Sequence, residues 1–218
     1  MKIVRAISMI IPLFILTSCG LLDKLGFDTY DYMGEEISQT HEIDSEKAVE
    51  LEQLLDILIT DSAALQTFEK MGDAIKAYRD AVLSYMLETG YSKYSGNTDL
   101  INKAEKEYPG YNITQIIPEN EFEATMYRYF GGNVKITHTD GVKFKYLPSV
   151  GAYISSVAPE NNGYTADITY LAETDKTYRV RFCIVSEDVK SDEYFALIIK
   201  REDGTLYIKK LLYSSEIE

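Results

Sequence analysis

Histidine, cysteine, clustered carboxylates and tyrosine are the residue types through which this 218-residue chain could do chemistry, and each occurs in a pattern that can be tested. His41-Glu42 opens like a zinc-protease helix. That motif needs a second His one helical turn on, and position 45 is Ser45, so the reading fails. His138 is followed two residues later by Asp140. Strand alternation would place both on one face, where an imidazole and a carboxylate can move a proton between them. The adjoining Gly141 gives the same residues a plainer reading, a turn Asp beside a half-exposed His. Glu187-Asp188 and Asp192-Glu193 surround Lys190, but they lack the Gly and the alternating spacing of a calcium loop and read as a solvated acidic loop. Cys183, in Arg181-Phe182-Cys183-Ile184-Val185, falls in a strand-like run where a packed thiol is the ordinary outcome. There is no phosphate-cradling Gly loop, no Gly-x-Ser-x-Gly elbow and no Cys pair for zinc, so no cofactor, metal or catalytic residue is expected. The remaining peculiarity is 18 Tyr against no Trp, with Tyr91, Tyr94, Tyr108, Tyr111, Tyr127 and Tyr129 crowding one stretch. Tyrosine packs in cores and also suits recognition surfaces, being large, rigid and polar at the tip. Tyr127 and Tyr129 therefore join His138 and Asp140 as candidate ligand-binding residues.

Two apolar periods show which elements must position these groups. Asp44-Ser45 caps a helix whose Leu51, Leu54, Leu55 and Leu58 share a face. Asp61-Ser62 reads as a second cap, before Leu65, Phe68, Met71, Ile75, Tyr78, Val82 and Tyr85 at helical steps. This long helix is predicted to stop at Gly90, leaving Tyr91–Gly96 as a Tyr-rich loop. A third helix spans Thr98–Tyr108; a fourth opens with Pro118 in its first turn, carries Glu119 and Glu121 near its positive end and closes at Gly131-Gly132. The period then becomes two. Val134, Ile136 and His138, a turn at Asp140-Gly141, then Val142, Phe144 and Tyr146 predict a hairpin. A short strand at Ala152–Val157 and longer strands starting at Tyr164, Tyr178, Tyr194 and Leu206 follow. Helices before sheet predict one α+β domain over 45–218, mainly helical over 45–132 and mainly antiparallel sheet over 133–218. Residues 19–44 read as an acidic tether, with Phe27, Tyr30, Tyr32 and Met33 suggesting that part of it docks on the domain.

The N-terminus carries Lys2 and Arg5 and then an apolar run, Ala6–Leu16. That run is shorter than the roughly 20 residues a spanning helix needs and fits the apolar region of an export signal. Leu16-Thr17-Ser18-Cys19 resembles the lipobox of bacterial lipoproteins. The resemblance implies a leader over 1–18, cleavage between Ser18 and Cys19, and a diacylglyceryl group on the Cys19 sulfur. The mature chain would then sit on the extracytoplasmic face of the cell membrane, with the bilayer as its first partner. Cys183 would be left alone, without an intrachain disulfide. Losing Lys2 and Arg5, with no acid, takes the formal charge from −13 to −15. Such a charge argues against nucleic acid, whose binding rests on Lys and Arg. The plain reading of the charge is solubility and the sharper one a cationic envelope protein, while exposed tyrosines would suit a wall glycan.

Tyr129-Phe-Gly-Gly132, His138-Thr-Asp-Gly141, Phe144-Lys-Tyr-Leu147, Lys200-Arg-Glu-Asp-Gly204 and Leu206–Leu211 resemble a group of lipoproteins from Clostridia-type bacteria, which implies location and transfers no activity. Helices followed by a curved antiparallel meander are similar to NTF2-like and cystatin-like cone folds. In NTF2-like enzymes a His–Asp pair inside the cone acts as acid and base. That resemblance implies a small-molecule or hydro-lyase-like reading for His138 and Asp140. It stands beside a non-enzymatic binding domain and a passive structural lipoprotein. Whether the concave side of the sheet is filled or open separates them.

Overall fold

A computed structural model describes residues 35–60, 64–132, 135–158, 163–187 and 190–217. The expected leader over 1–18, with Ser18, and the expected lipid site Cys19 lie outside the described residues. Among those described, four helices are formed: α1 (Glu46–Ile59), α2 (Met71–Ser95), α3 (Thr98–Glu107) and α4 (Glu119–Phe130). The strands are β1 (Gln39–Thr40), β2 (Gln115–Pro118), β3 (Lys145–Leu147), β4 (Ala152–Ser155), β5 (Thr165–Glu173), β6 (Thr177–Val185), β7 (Tyr194–Lys200) and β8 (Leu206–Tyr213). They form two antiparallel sheets, one in the order β1-β5-β6-β7-β8 and one in the order β2-β4-β3. The chain is thus α+β.

Helix α1 starts where its sequence says it should. The Ser45 hydroxyl accepts from the Ala48 N–H at 3.3 Å, and Ala48, Leu51, Leu55 and Leu58 are buried along one side. They pack on the inner face of the large sheet, against Ile168 and Leu171 of β5 and Tyr178, Val180, Phe182 and Ile184 of β6. A bulge between Ile168 and Tyr170 breaks the simple alternation of β5, so that Leu171, rather than Tyr170, reaches the core. Tyr78 and Val82 of α2, and Phe122, Met126 and Phe130 of α4, complete the same core. The inner face of the sheet is filled by side chains.

Five sequence expectations need correction. Leu65 and Phe68 are buried as expected but not helical. Phe68 exchanges backbone hydrogen bonds with Leu211 at 2.7 and 2.8 Å, which satisfies the open edge of β8, and α2 begins only at Met71. Gly90 kinks α2 instead of ending it, with φ −129° and ψ 26°, and Tyr91 and Tyr94 are helical. A Cβ at position 90 would lie 2.9 Å from the Tyr94 ring, so the glycine admits that ring. Gln115-Ile-Ile-Pro118 is a strand inside the supposedly helical half, paired with β4, and α4 opens just after Pro118. The hairpin around Asp140-Gly141 does not form. Residues 135–144 hold no strand, and β3 pairs with β4. Finally, the end of the expected tether belongs to the sheet: Ser38 and His41 donate backbone N–H groups to Glu173 and Leu171 at 2.8 and 3.0 Å.

The failed hairpin has a specific cause. Arg79 of α2 donates to the carbonyls of Thr139 and Asp140 at 3.1 and 2.8 Å, and the Asp80 carboxylate accepts from the Val142 N–H at 2.7 Å. A Cβ on Gly141 would lie 1.8 Å from Asp80 Oδ1. The glycine therefore serves a close approach to α2, and Val142 is left 95% exposed while Phe144 is buried.

Candidate functional sites

His138 stands in the irregular segment between α4 and β3. Its ring stacks on Tyr146, with centroids 4.8 Å apart and planes at 20°, and meets Phe122 edge-on. Nε2 lies 3.2 Å from Glu123 Oε1 and Nδ1 lies 3.1 Å from the Tyr153 hydroxyl. The carboxylate can only accept, so Nε2 carries a proton and donates, and Nδ1 is paired with the Tyr153 hydroxyl. Glu119, one turn before Glu123, accepts from the Tyr146 hydroxyl and sits in the first turn of α4, where the helix favours negative charge. Burial pushes the Tyr153 hydroxyl up to about 12; burial and then the Glu119 carboxylate do the same for Tyr146. Both phenols are neutral at ordinary pH. Asp140 is turned to other work: its Oδ1 accepts from the Tyr146 N–H at 2.9 Å. The structure thus surrounds His138 with Glu123, Tyr153 and Tyr146, which sequence reasoning missed, and does not join it to Asp140. With both ring nitrogens engaged, this arrangement chiefly locks the 135–146 segment onto α4 and β4.

A second constellation lies along α1. Tyr85 of α2 and Tyr129 of α4 meet with hydroxyls 2.9 Å apart and rings 5.6 Å apart at 74°. Beside them Asp56 of α1 has no hydrogen bond or ion pair to its carboxylate among the described residues. Burial, then the neighbouring Glu52, push its carboxyl up to about 6. Burial first and the Tyr85 hydroxyl second hold the Tyr129 phenol well above its usual range, with Asp56 adding to this. Two cavities meet here. One of about 540 Å³ is lined by Gln53, Asp56, Thr60, Tyr85, Glu88 and Tyr164. The other, of about 350 Å³, is lined by Glu50, Gln53, Tyr85, Arg128, Tyr129 and Leu206. Gln53 and Tyr85 border both, so together they form a polar groove alongside α1.

Of the sequence candidates, Tyr129 lines this groove, while His138 and Asp140 line neither cavity. Tyr127 packs its side chain against the main core, and its carbonyl accepts from Arg201 Nη2 at 2.7 Å. That guanidinium also reaches the Arg128 carbonyl at 3.3 Å and so caps the negative end of α4. Asp56 and Tyr85 were missed. The available signal was an acid in the middle of the apolar run Leu54-Leu55-Asp56-Ile57-Leu58-Ile59.

The other candidates are quiet. Cys183 is buried, and burial pushes its thiol up, away from the reactive thiolate. In the acidic loop Asp188 lies outside the described residues; Glu193 accepts from the Thr169 hydroxyl at 2.5 Å and Lys190 lies 3.6 Å from Asp167. Among the described residues no three His, Cys, Asp or Glu side chains converge as a metal site, and no helix is long and apolar enough to cross a membrane. No family model, no curated protein and no solved structure matches this chain.

Proposed function

We propose that this chain is a lipoprotein of the cell envelope, cleaved between Ser18 and Cys19 and held by lipid on Cys19 at the extracytoplasmic face. Its domain is of the NTF2-like or cystatin-like cone type and works as a non-enzymatic binding module. Its partner is a cationic envelope protein, with a wall glycan as the second choice. The lipobox, the formal charge of −13 and the helix-covered five-stranded sheet support this reading. The observation that carries it is the filled inner face of the sheet. The concavity offered to a partner lies outside, along α1. Intact-mass analysis of the membrane fraction tests the anchor: a diacylated chain beginning at Cys19 is expected, and an unmodified chain beginning at Met1 would overturn it. A photo-crosslinker at the exposed Gln53 tests the module: it should capture one partner in a salt-sensitive way, and a partner captured only from other faces would move the site.

The hydro-lyase-like alternative at His138 and Asp140 has the filled inner face and the turning of Asp140 to the Tyr146 N–H against it, and one observation in its favour, the Glu123 carboxylate at Nε2 of His138. It requires a ring nitrogen to be released from Glu123 or Tyr153 when substrate arrives. A folded His138→Ala variant with unchanged ligand behaviour ends that alternative.

A further inference from the structure

Resting on the binding-module reading, we infer that the groove along α1 takes an alkylammonium group, with Asp56 as its counter-charge and the Tyr85–Tyr129 pair as its hydrogen-bonding wall. The geometry sets three requirements that this ligand class meets together. Asp56 is a half-buried carboxylate with no cation beside it among the described residues, and its like-charged neighbour Glu52 is already occupied by the Ile168 N–H at 3.3 Å. A negative charge so placed is costly until a cation neutralises it. Tyr85 and Tyr129 spend one O–H on each other, which leaves lone pairs on both oxygens to accept from a donor. An ammonium is a donor of three N–H groups with no acceptor, and it can serve a carboxylate and two phenol oxygens from different directions. The rings themselves offer apolar faces to the methylenes of the stem and their π-electrons to the charge. The Arg128 guanidinium lies 5.4 Å from the Tyr129 ring centroid, so one cation already stands against this largely buried ring and the ammonium is left the hydroxyl edge and the Tyr85 ring.

The shape agrees with a ligand that is narrow and extended. From Glu50 to Thr60 the helix advances about 15 Å at its usual rise, and the two cavities lie along that length. Glu50 at the far end is paired with Lys47, so the uncompensated charge is concentrated at Asp56. A neutral sugar could donate hydroxyls to Asp56 and the tyrosines but would leave the carboxylate charge uncompensated, which is why an amine is favoured over a glycan. The amine can be the side chain of a lysine on a protein or a free aliphatic diamine.

Titrations of the folded domain, followed through the ring signals of labelled tyrosine and by calorimetry, separate these sources. The probes are a short glycine-flanked lysine peptide, the same peptide with norleucine for lysine, 1,5-diaminopentane, and chitotriose. The lysine peptide or the diamine should bind and perturb Tyr85 and Tyr129; the norleucine peptide and chitotriose should not. Asp56→Asn should weaken binding at least tenfold and Tyr129→Phe several-fold. Glu69→Gln, which removes the same charge from a residue paired with Lys210 away from the groove, should leave it unchanged. Binding by the peptide alone assigns the amine to a protein, and binding by the diamine as well admits a free polyamine; both uphold the alkylammonium site. Equal binding to Asp56→Asn, equal binding of the norleucine peptide, or binding of chitotriose alone would overturn it. A partner captured from Gln53 that no amine displaces would also overturn it while leaving the binding-module reading intact. No partner captured from any face would remove that reading too.

Discussion

The two sheets of this domain are held together by different physics. In the five-stranded sheet Tyr178, Val180, Phe182 and Ile184 of β6, with Ala196 and Ile198 of β7, bury their side chains among apolar neighbours, and the buried polar side chains stand apart from this core, Arg179 over the Phe195 ring and Thr177 with Thr174 at the turn between β5 and β6. In the three-stranded sheet polar groups go inside. Tyr153 is fully buried with its hydroxyl on His138, Ser155 is 2% exposed, and Gln115 is 1% exposed with neither amide atom hydrogen-bonded. Apolar burial tolerates small imperfections and is indifferent to pH, whereas a buried polar group is favourable only while its partner is present. The large sheet should therefore dominate stability, and the small one should carry the contacts whose removal can go either way in sign.

The strongest test of that contrast is Phe182→Ala. Phe182 is fully buried at the centre of the large sheet, and the deletion should cost about 3–5 kcal/mol in urea unfolding. A cost smaller than that of any change in the small sheet would break the comparison. The next effect has the opposite sign. Gln115→Met keeps nearly the same volume and removes an amide that is buried without a partner, so it should stabilise by about 1–3 kcal/mol. A loss of stability instead would mean that ordered water satisfies the amide in solution. Tyr153→Phe comes third. It leaves the ring against Phe122, with centroids 5.0 Å apart, but strips His138 Nδ1 of its hydrogen-bond partner, and should cost about 1 kcal/mol by the same measurement.

The same contrast explains what could be read from the residues alone. Strict alternation made β6 legible, because a strand with one apolar face against a core has no other way to satisfy both faces. The first helix was legible from its Ser45 cap and leucine spacing. The small sheet was not, because its strands are three and four residues long and their pairing is decided by distant partners. Asp140-Gly141 carries the chemistry of a hairpin turn, yet Arg79 and Asp80 on α2, about 60 residues away in sequence, claim that loop instead. Phe68 sits at a good helical position, but the unpaired edge of β8 draws it into an extended conformation. The sites divide likewise. Tyr129 was named from tyrosine crowding, whereas Asp56 and Tyr85 belong to different helices and become neighbours only through packing. His138 was singled out with Asp140, and its actual partners, Glu123 and Tyr153, come from elements with no sequence spacing to advertise the contact.

The smallest effect sharpens the comparison most, because it concerns the groove on the edge of the apolar core. The Asp56 carboxyl is raised from its ordinary 3.8 to about 6, through burial and the nearby Glu52 charge. Below the unfolded value both states are protonated and the residue costs nothing. As pH climbs from about 4 to about 6 the unfolded chain releases this proton first, so the folded state holds more protons and stability falls. Above about pH 7 the penalty is complete, and water in the open groove screens it to roughly 1 kcal/mol. Asp56→Asn should therefore match the wild type near pH 4 and exceed it by about that amount at pH 7.5, in paired unfolding curves across the range. Taking the difference at each pH cancels the contributions of Glu121 and Glu173, whose carboxyls are lowered beside Lys93 and Lys200 and so run the other way. A variant more stable than the native domain yet at least tenfold poorer at binding an amine would show that this carboxylate is kept at the expense of the fold for what it holds. A difference that is flat with pH would mean that Asp56 is charged and solvated throughout, and the groove would then lack the desolvated anion that distinguishes it from the rest of the acidic surface.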